Sequence, residues 1–469
     1  MRNRQVNGMI RLTDTIAAIA TGMNQGGIGV IRVSGEKAIP IADSIFVPKK
    51  KGREIRTLDT YTAAYGNIVD TNGQMVDEVI VLVMKAPSTY TKEDVVEIDC
   101  HGGMQVMQHI LQLLIEQGAR LADPGEFTKR AFLNGRIDLS QAESVMDLIS
   151  AKSDLAAKTA LSQLKGSLRD KIDVLRKNLI HNIAYIESAL DDPEHYDLTG
   201  FDETLDHLLE NMEQEIEHLV RTAEDGKMMK EGICTVILGK PNAGKSSVLN
   251  VMTGRERAIV TEIAGTTRDT LEEFVSIQGI PLNIIDTAGI RDTDDIVEKI
   301  GVDKSIEAMQ QADLILYIVD SSKALDENDH AIMKQIADKN VIILRNKTDL
   351  PSVVSDEEIQ SYLNKPVIAI SAKDQTGFDT FYEALNEMFF QGRLSYNDEI
   401  YITNMRHKEA LQEALESIHM VRDSIAAGMP EDFLTIDLMN AYERLGYIIG
   451  ESVEDDLVDN IFKEFCMGK

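Results

Sequence analysis

The sequence predicts a three-part α/β plus α protein. An N-terminal α/β domain covers residues 1–134, a helical bundle comes in two pieces, 135–230 and 393–469, and a doubly wound α/β domain over 231–392 is inserted between them. Three observations carry this reading. Between 231 and 392, apolar runs alternate with helical stretches, the pattern of a mostly parallel sheet with crossover helices. Before it, Leu161, Leu164, Leu168, Ile172, Leu175, Leu179, Ile183 and Ile186 recur at steps of three and four. Leu205, Leu208, Met212, Ile216 and Leu219 repeat the stripe after a break at Asp191-Asp192-Pro193. After the insertion, helical periodicity resumes near Ile402, so the two flanks can close one bundle core.

In the N-terminal domain, Thr15 to Ala20 and Ile28 to Val33 read as strands around the turn Gly26-Gly27-Ile28-Gly29. Tyr61 to Ile68, Val76 to Met84 and Val95 to Cys100 add three more strands, and Val106 to Gln117 is an amphipathic helix. Two patches mix charge with turn residues at element ends: Glu97-Ile98-Asp99-Cys100-His101-Gly102-Gly103, and Pro124 to Arg136. On their chemistry alone they read as a strand terminus and a capped helix.

The inserted domain is organised around Gly239-Lys240-Pro241-Asn242-Ala243-Gly244-Lys245-Ser246. It follows an apolar strand, Ile233 to Leu238, and opens a helix at Ser247, the context in which G-x-x-x-x-G-K-[ST] binds phosphate. Loop N–H groups and the helix N-terminus favour an anion there. Lys245 adds a charge for the β- and γ-phosphates, and Ser246 offers a hydroxyl to Mg²⁺. Three later segments select the nucleotide. The strand ending in Asp286-Thr287-Ala288-Gly289 supplies a carboxylate for Mg²⁺ through water and an N–H for the γ-phosphate. The strand Val341 to Leu344 leads to Asn346-Lys347-Thr348-Asp349, where Asp349 can accept both N1–H and the 2-amino group of guanine. Adenine lacks that donor pair. Ser371-Ala372-Lys373, after the strand Pro366 to Ile370, can contact guanine O6 through the backbone. The ordered set predicts GTP binding.

Catalysis poses a separate problem. Many GTPases orient the attacking water with a Gln just after D-x-x-G. That position is Ile290 here, and the acidic run Asp292, Asp294, Asp295 and Glu298 supplies the alternatives. Thr267, in Thr261-Glu262-Ile263-Ala264-Gly265-Thr266-Thr267-Arg268-Asp269, is a candidate second hydroxyl for Mg²⁺. Neutral oxygens of Asn242, Thr261, Ile263 and Thr266 suit a monovalent cation in the place of an arginine finger. Arg268 is the competing idea.

Composition bounds the setting. The three cysteines, Cys100, Cys234 and Cys466, are far apart, and the nine histidines form no metal-ligand spacing, so neither a disulfide framework nor a zinc site is expected. With no apolar run long enough to span a bilayer and no leader pattern at the N-terminus, the chain reads as cytoplasmic. A net charge of −30 disfavours broad electrostatic binding to nucleic acid or membrane, so an RNA partner must use a local basic patch or arrive on another protein. The tail Cys466-Met467-Gly468-Lys469 fits a prenylation box poorly; a reactive thiol and an ordinary fraying end are the other readings.

With these pieces assembled, the chain resembles the bacterial tRNA modification GTPase MnmE (TrmE) family along nearly its whole length. The residues that carry the resemblance are Asp14 to Ala18, Gly26 to Gly35, Glu93 to Glu97, His101-Gly102-Gly103, Pro124 to Asn134, Gly265 to Asp269 and Cys466 to Lys469. The resemblance implies an N-terminal domain that binds a 5-formyl- or methylene-tetrahydrofolate and mediates homodimerisation, with a Ras-like P-loop GTPase domain inserted in the bundle. It implies folate contacts from Arg32, Glu97, Arg136 and Lys469. It places K⁺ among Asn242, Thr261, Ile263 and Thr266, and Mg²⁺ on Ser246 and Thr267. Lys245, Asp286 and Glu298 form the catalytic set, with Glu298 orienting the water. It also implies an FAD-dependent MnmG-type partner and modification of carbon 5 of the wobble uridine of certain tRNAs. This chain departs from the family in having Gly22-Met23-Asn24-Gln25 where Pro-Pro-Gly is usual, Arg136 where Lys is common, and Met467 where Ile is frequent. The competing reading is a GTP-switched ribosome-assembly factor, and a third is a folate-binding scaffold with a vestigial GTPase. The acidic helical C-terminal region counts against the first, and the intact nucleotide motifs count against the second.

Overall fold

The computed structural model describes residues 14–22, 26–196, 198–255, 273–285, 309–310, 312–390, 399–451, 453, 455–463, 465 and 468. The chain divides into two compact units, residues 1–146 with 446–469, and residues 147–445.

The first unit holds a seven-stranded sheet: β1 (Ile16–Ile19), β2 (Ile28–Ser34), β3 (Phe46–Pro48), β4 (Thr62–Val69), β5 (Met75–Met84), β6 (Val95–His101) and β7 (Arg120–Leu121). Their order is β3-β4-β5-β6-β2-β1-β7, antiparallel except for β1 with β7. Alternation sets the two faces. Val79, Val81 and Val83 of β5 and Val96, Ile98 and Cys100 of β6 are buried under helices Ala38–Ser44 and Met104–Glu116. Glu97, Asp99 and His101 point the other way, opposite Arg32, Val30 and Ile28 of β2. The five strands read from sequence are present, within a residue or so at each end. The short β3 and β7 and the helix Ala38–Ser44 were not expected. Pro40 stands in the first turn of that helix, where its missing N–H costs no intrahelical bond.

The chain's far end returns to this unit. In helix Asp455–Lys463, Val458 and Phe462 are buried with Phe465 against Ala131, Ile137, Leu139 and Ala142.

The second unit contains a six-stranded sheet: β8 (Ile233–Gly239), β9 (Glu273–Ile277), β10 (Ile280–Ile284), β11 (Leu314–Asp320), β12 (Val341–Asn346) and β13 (Val367–Ala369). The order is β13-β12-β11-β8-β10-β9, parallel except at β9. β11 and β12 are apolar along both faces, as central strands covered by helices on each side must be. Strand β9 was not anticipated. It pairs with β10 through the two-residue turn Gln278-Gly279, both at positive φ, 47° and 86°.

The sheet is inserted in a helical bundle. Helices Asp154–Leu164, Ser167–Asp191 and Phe201–Glu231 precede it, and Met405–Ala426 follows. Most of the predicted stripe is buried: Leu168, Ile172, Leu175, Leu179, Ile183 and Ile186, with Leu205, Met212, Ile216 and Leu219, are at or near zero exposure. Leu161 is exposed, Leu164 is half-buried, and Leu209 takes the core position read for the half-buried Leu208. Arg422 joins the flanks, donating to Asp206 at 2.8 Å and to Glu213 at 2.5 Å, and the Ile402 N–H donates to Thr222 Oγ1.

Candidate functional site

The phosphate-loop motif folds as read. β8 ends at Gly239 and helix Lys245–Arg255 begins at Lys245. Between them the chain turns through Asn242 at φ 64° and Gly244 at φ 99°, a left-handed pair that lets successive N–H groups face one point. A Cβ on Gly244 would lie 2.2 Å from Asn346 Nδ2, so the close approach of the two motifs requires glycine there. Lys245 Nζ donates to Gly239 O at 2.7 Å and Lys240 O at 3.2 Å. Burial pulls this ammonium below the ordinary lysine value, which favours a site where an anion completes its partners. Ser246 and Ser247 are exposed in the first helical turn.

The base-recognition motif sits against this loop. Asn346, buried at the end of β12, donates to Ala243 O at 2.9 Å and accepts from Ala372 N–H at 3.1 Å. One side chain thus binds the phosphate loop to the Ser371-Ala372-Lys373 segment. Lys347, at φ 66°, donates to Asn242 O at 2.8 Å and to Asp320 Oδ2 at 2.7 Å. A non-glycine residue held at positive φ by two such contacts is strain concentrated at a site. Asp349 accepts from Ser371 Oγ at 3.0 Å, and Lys373 Nζ stands 3.6 Å from its other oxygen. Gly244, Ser247, Asn250, Asn346, Lys347 and Asp349 are among the residues lining a cleft of about 600 Å³.

A second cluster lies on the face of the first unit's sheet opposite helices Ala38–Ser44 and Met104–Glu116. Arg32 Nε donates to Glu97 Oε1 at 2.7 Å, and its Nη1 donates to Gly468 O at 3.3 Å. Two guanidiniums lie near the Tyr90 ring, with Arg136 4.7 Å and Arg32 5.9 Å from its centre. Two cations, one carboxylate and an aromatic ring therefore converge, with the Gly468 carbonyl beside them.

Comparison with known proteins places this arrangement. A family model described as the MnmE helical domain matches residues 139–466. A second, described as the GTP-binding protein TrmE N-terminus, matches residues 15–136. A tRNA modification GTPase MnmE from Lachnoclostridium phytofermentans is 56% identical over 97% of this chain and 100% of its own length. Those from Clostridioides difficile and Acetivibrio thermocellus are each 49% identical, over 98% and 97% of this chain and 100% and 99% of their own lengths.

The chain belongs to the MnmE family.

Of the residues singled out from the sequence, the structure brings together Asn242, Ala243, Gly244, Lys245, Asn346, Lys347, Asp349, Ser371, Ala372 and Lys373 of the nucleotide motifs in one cleft region, and Arg32, Glu97 and Arg136 of the family resemblance in another. Thr261, Glu262, Ile263, Ala264, Gly265, Thr266, Thr267, Asp286, Thr287, Ala288, Gly289, Glu298, Cys466 and Lys469 lie outside the described residues. Sequence reasoning missed Asp320, Asn250 and Gln375. Asp320 carried a signal: it is the one charged residue closing an otherwise apolar strand, and parallel pairing sets it beside Asn346. Asn250 and Gln375 carry none, because they line the cleft only through the folded geometry. No group of acidic, histidine or cysteine side chains suited to a metal occurs among the described residues, and none of their helices is long and apolar enough to cross a membrane.

Proposed function

We propose that this chain is a K⁺-stimulated GTP hydrolase that acts with an FAD-dependent MnmG-type partner to modify carbon 5 of the wobble uridine of certain tRNAs. Asp349, poised at the cleft beside Ser371 and across Asn346 from the phosphate loop, is the observation that carries GTP as substrate. Its carboxylate meets the two donors on guanine and rejects adenine, which lacks them. Lys245 holds the β- and γ-phosphates, and the loop N–H groups meet charge that develops on the γ-phosphoryl group. Ser246, exposed in the first turn beside Lys245, fits a hydroxyl ligand to Mg²⁺, with Thr267 as the second and Asp286 acting through water. Glu298 orients the attacking water. Asn242, Thr261, Ile263 and Thr266 would hold K⁺, and a cation bound there would supply the charge neutralisation that an arginine finger gives elsewhere.

The proposed domains are those of the sequence reading, a tetrahydrofolate-binding and dimerising domain at 1–134, a bundle from 135–230 and 393–469, and a GTPase domain at 231–392, although residues 446–469 group with the first compact unit. The converging Arg32, Arg136, Glu97 and Tyr90 support the folate assignment. A pterin offers N–H donors to a carboxylate and a ring face to an aromatic, and its glutamate tail offers carboxylates to cations. When bound, the carrier supplies a one-carbon unit. Arg32 and Glu97 hold each other in place for it, and Lys469 is the remaining contact proposed.

The decisive experiment is mass spectrometry of nucleosides from bulk tRNA with and without the gene. The proposal expects loss of a 5-aminomethyl-type uridine, restored by the wild-type gene and not by Lys245→Ala. An unchanged profile in cells without a second copy would favour a ribosome-assembly role instead. Two kinetic outcomes belong to the same proposal. GTP turnover is faster in KCl than in matched NaCl, and equal rates reject the cation. Glu298→Ala cuts turnover by about 10²-fold or more with GTP affinity nearly intact, and retained turnover rejects its role.

A further inference from the structure

The phosphate loop carries one charged side chain that the nucleotide chemistry above does not use. Lys240, its second residue, points away from the cleft, and its Nζ donates to Asp326 Oδ2 at 2.9 Å and stands 2.5 Å from Asp329 Oδ2. Asp326 caps helix Glu327–Gln335: its Oδ1 accepts the N–H groups of Asn328 and Asp329, and the Asp329 carboxylate accepts the Asp326 N–H in return. Asp329 is buried, and its other oxygen accepts the hydroxyl of Tyr317 at 2.8 Å. Tyr317 is fully buried in β11, the strand beside β8. A continuous path therefore runs from the central strand through Asp329 to the loop.

The backbone of Lys240 faces the site. Its carbonyl is one of two that accept from Lys245 Nζ. An ammonium has three N–H bonds. Two spent on fixed carbonyls leave the third with a defined direction, toward the space in front of the loop. The direction is defined only while the carbonyls of Gly239 and Lys240 stay put, and glycine at 239, at φ 150°, does not fix the backbone there by itself.

We propose that Lys240 is a positioning residue for guanine-nucleotide binding: its bridge to Asp326 and Asp329 braces the phosphate loop against helix Glu327–Gln335 and so aims the Lys245 ammonium. It touches no substrate and acts through the loop. The inference rests on the GTP-binding reading given above.

The test uses the full chain and a fluorescent GDP, with melting temperature measured alongside affinity. Lys240→Met keeps the stem and removes the bridge. It weakens GDP binding about tenfold, the effect of one lost charge-assisted positioning contact. Because Lys240→Met also strips a cation from buried Asp329, a second variant adds Asp329→Asn, which has no net charge. Its one amide oxygen still accepts from Tyr317 but the capping bond from the Asp326 N–H is given up, so the double variant is compared with Asp329→Asn alone. The double variant melts with Asp329→Asn alone and stays weak for GDP. Wild-type affinity in Lys240→Met overturns the proposal. So does a double variant that recovers affinity together with stability, since Lys240 would then only neutralise a buried charge. If Lys240→Met does not fold, the double variant decides by the same criterion. Absence of GDP binding by the wild type would instead defeat the GTP-binding reading itself.

Discussion

Asp349 illustrates what can be read one residue at a time. Its type and its place after a strand are legible in Asn346-Lys347-Thr348-Asp349, because guanine recognition asks for one carboxylate at one spacing. Replacing it by Ala removes the acceptor for two donors at a mostly buried site, at about 1.5–3 kcal/mol per charged bond. GTP affinity should fall by at least tenfold and the preference over ATP should shrink, as competition binding would reveal. Undiminished preference would place base recognition elsewhere. The partners of Lys347 were not legible. Asp320 and the Asn242 carbonyl arrive from other motifs, and only the parallel register of β11 and β12 and the fold of the loop bring them within reach.

At the scale of elements, long apolar strands announced themselves and short or polar ones did not. β8, β11 and β12 are rich in Ile, Leu and Val because both faces are covered. β7 has two residues and β3 has three, too few to show a period. β9 reads Glu-Phe-Val-Ser-Ile, and its one local signal is the Gln-Gly turn that follows. Contacts between elements yield their own prediction. Gly244→Ala drives a Cβ into Asn346 Nδ2 at a φ of 99°, so it should spoil the link between the phosphate loop and the Ala372 segment. Nucleotide affinity should fall by about tenfold or more while the helical bundle's circular dichroism is kept. In the first unit, Gly468 at φ 85° lies so close to β1 that a Cβ would meet Ile19 O at 2.3 Å. Gly468→Ala should break the Arg32–Gly468 contact and, on the proposed folate assignment, weaken binding of a tetrahydrofolate, measured by calorimetry, with GTP binding unchanged.

Over the molecule as a whole, the first unit is tied by an ionic core. Arg130 is fully buried and donates to Asp14, Glu93 and Glu126, while Arg120 donates to Asp14 and Glu126. The sequence reading took Pro124 to Arg136 as a capped helix and could not foresee this, because the carboxylates come from three separate places in the chain. Removing one partner of a buried network strands the others, so Arg130→Met should cost about 3–5 kcal/mol of stability. For Asp14 and Glu126, burial opposes ionisation, and the hydrogen bonds from Arg120 and Arg130 outweigh it, leaving both carboxyls below their ordinary values. A depressed carboxyl adds stability that is complete above its unfolded pKa and is lost as pH falls through its folded one. Melting temperature should therefore hold from pH 7 down to about 5 and drop below about pH 4, with a shallower drop in Arg130→Met. A drop of equal steepness in that variant would remove this network as its source.

The return of helix Asp455–Lys463 to the first unit has a consequence for synthesis. The N-terminal sheet can pair as soon as residues 16–121 leave the ribosome. The apolar surface of Ala131, Leu139 and Ala142 has to wait for Val458, Phe462 and Phe465, after all of 147–445 has been made. During that interval the nascent chain carries an open hydrophobic seam, while the inserted domain folds downstream. The same helix acts as a latch that only a chain translated past it can close. Chains stopped before residue 455 should therefore aggregate or be degraded even though every strand of both sheets has been made.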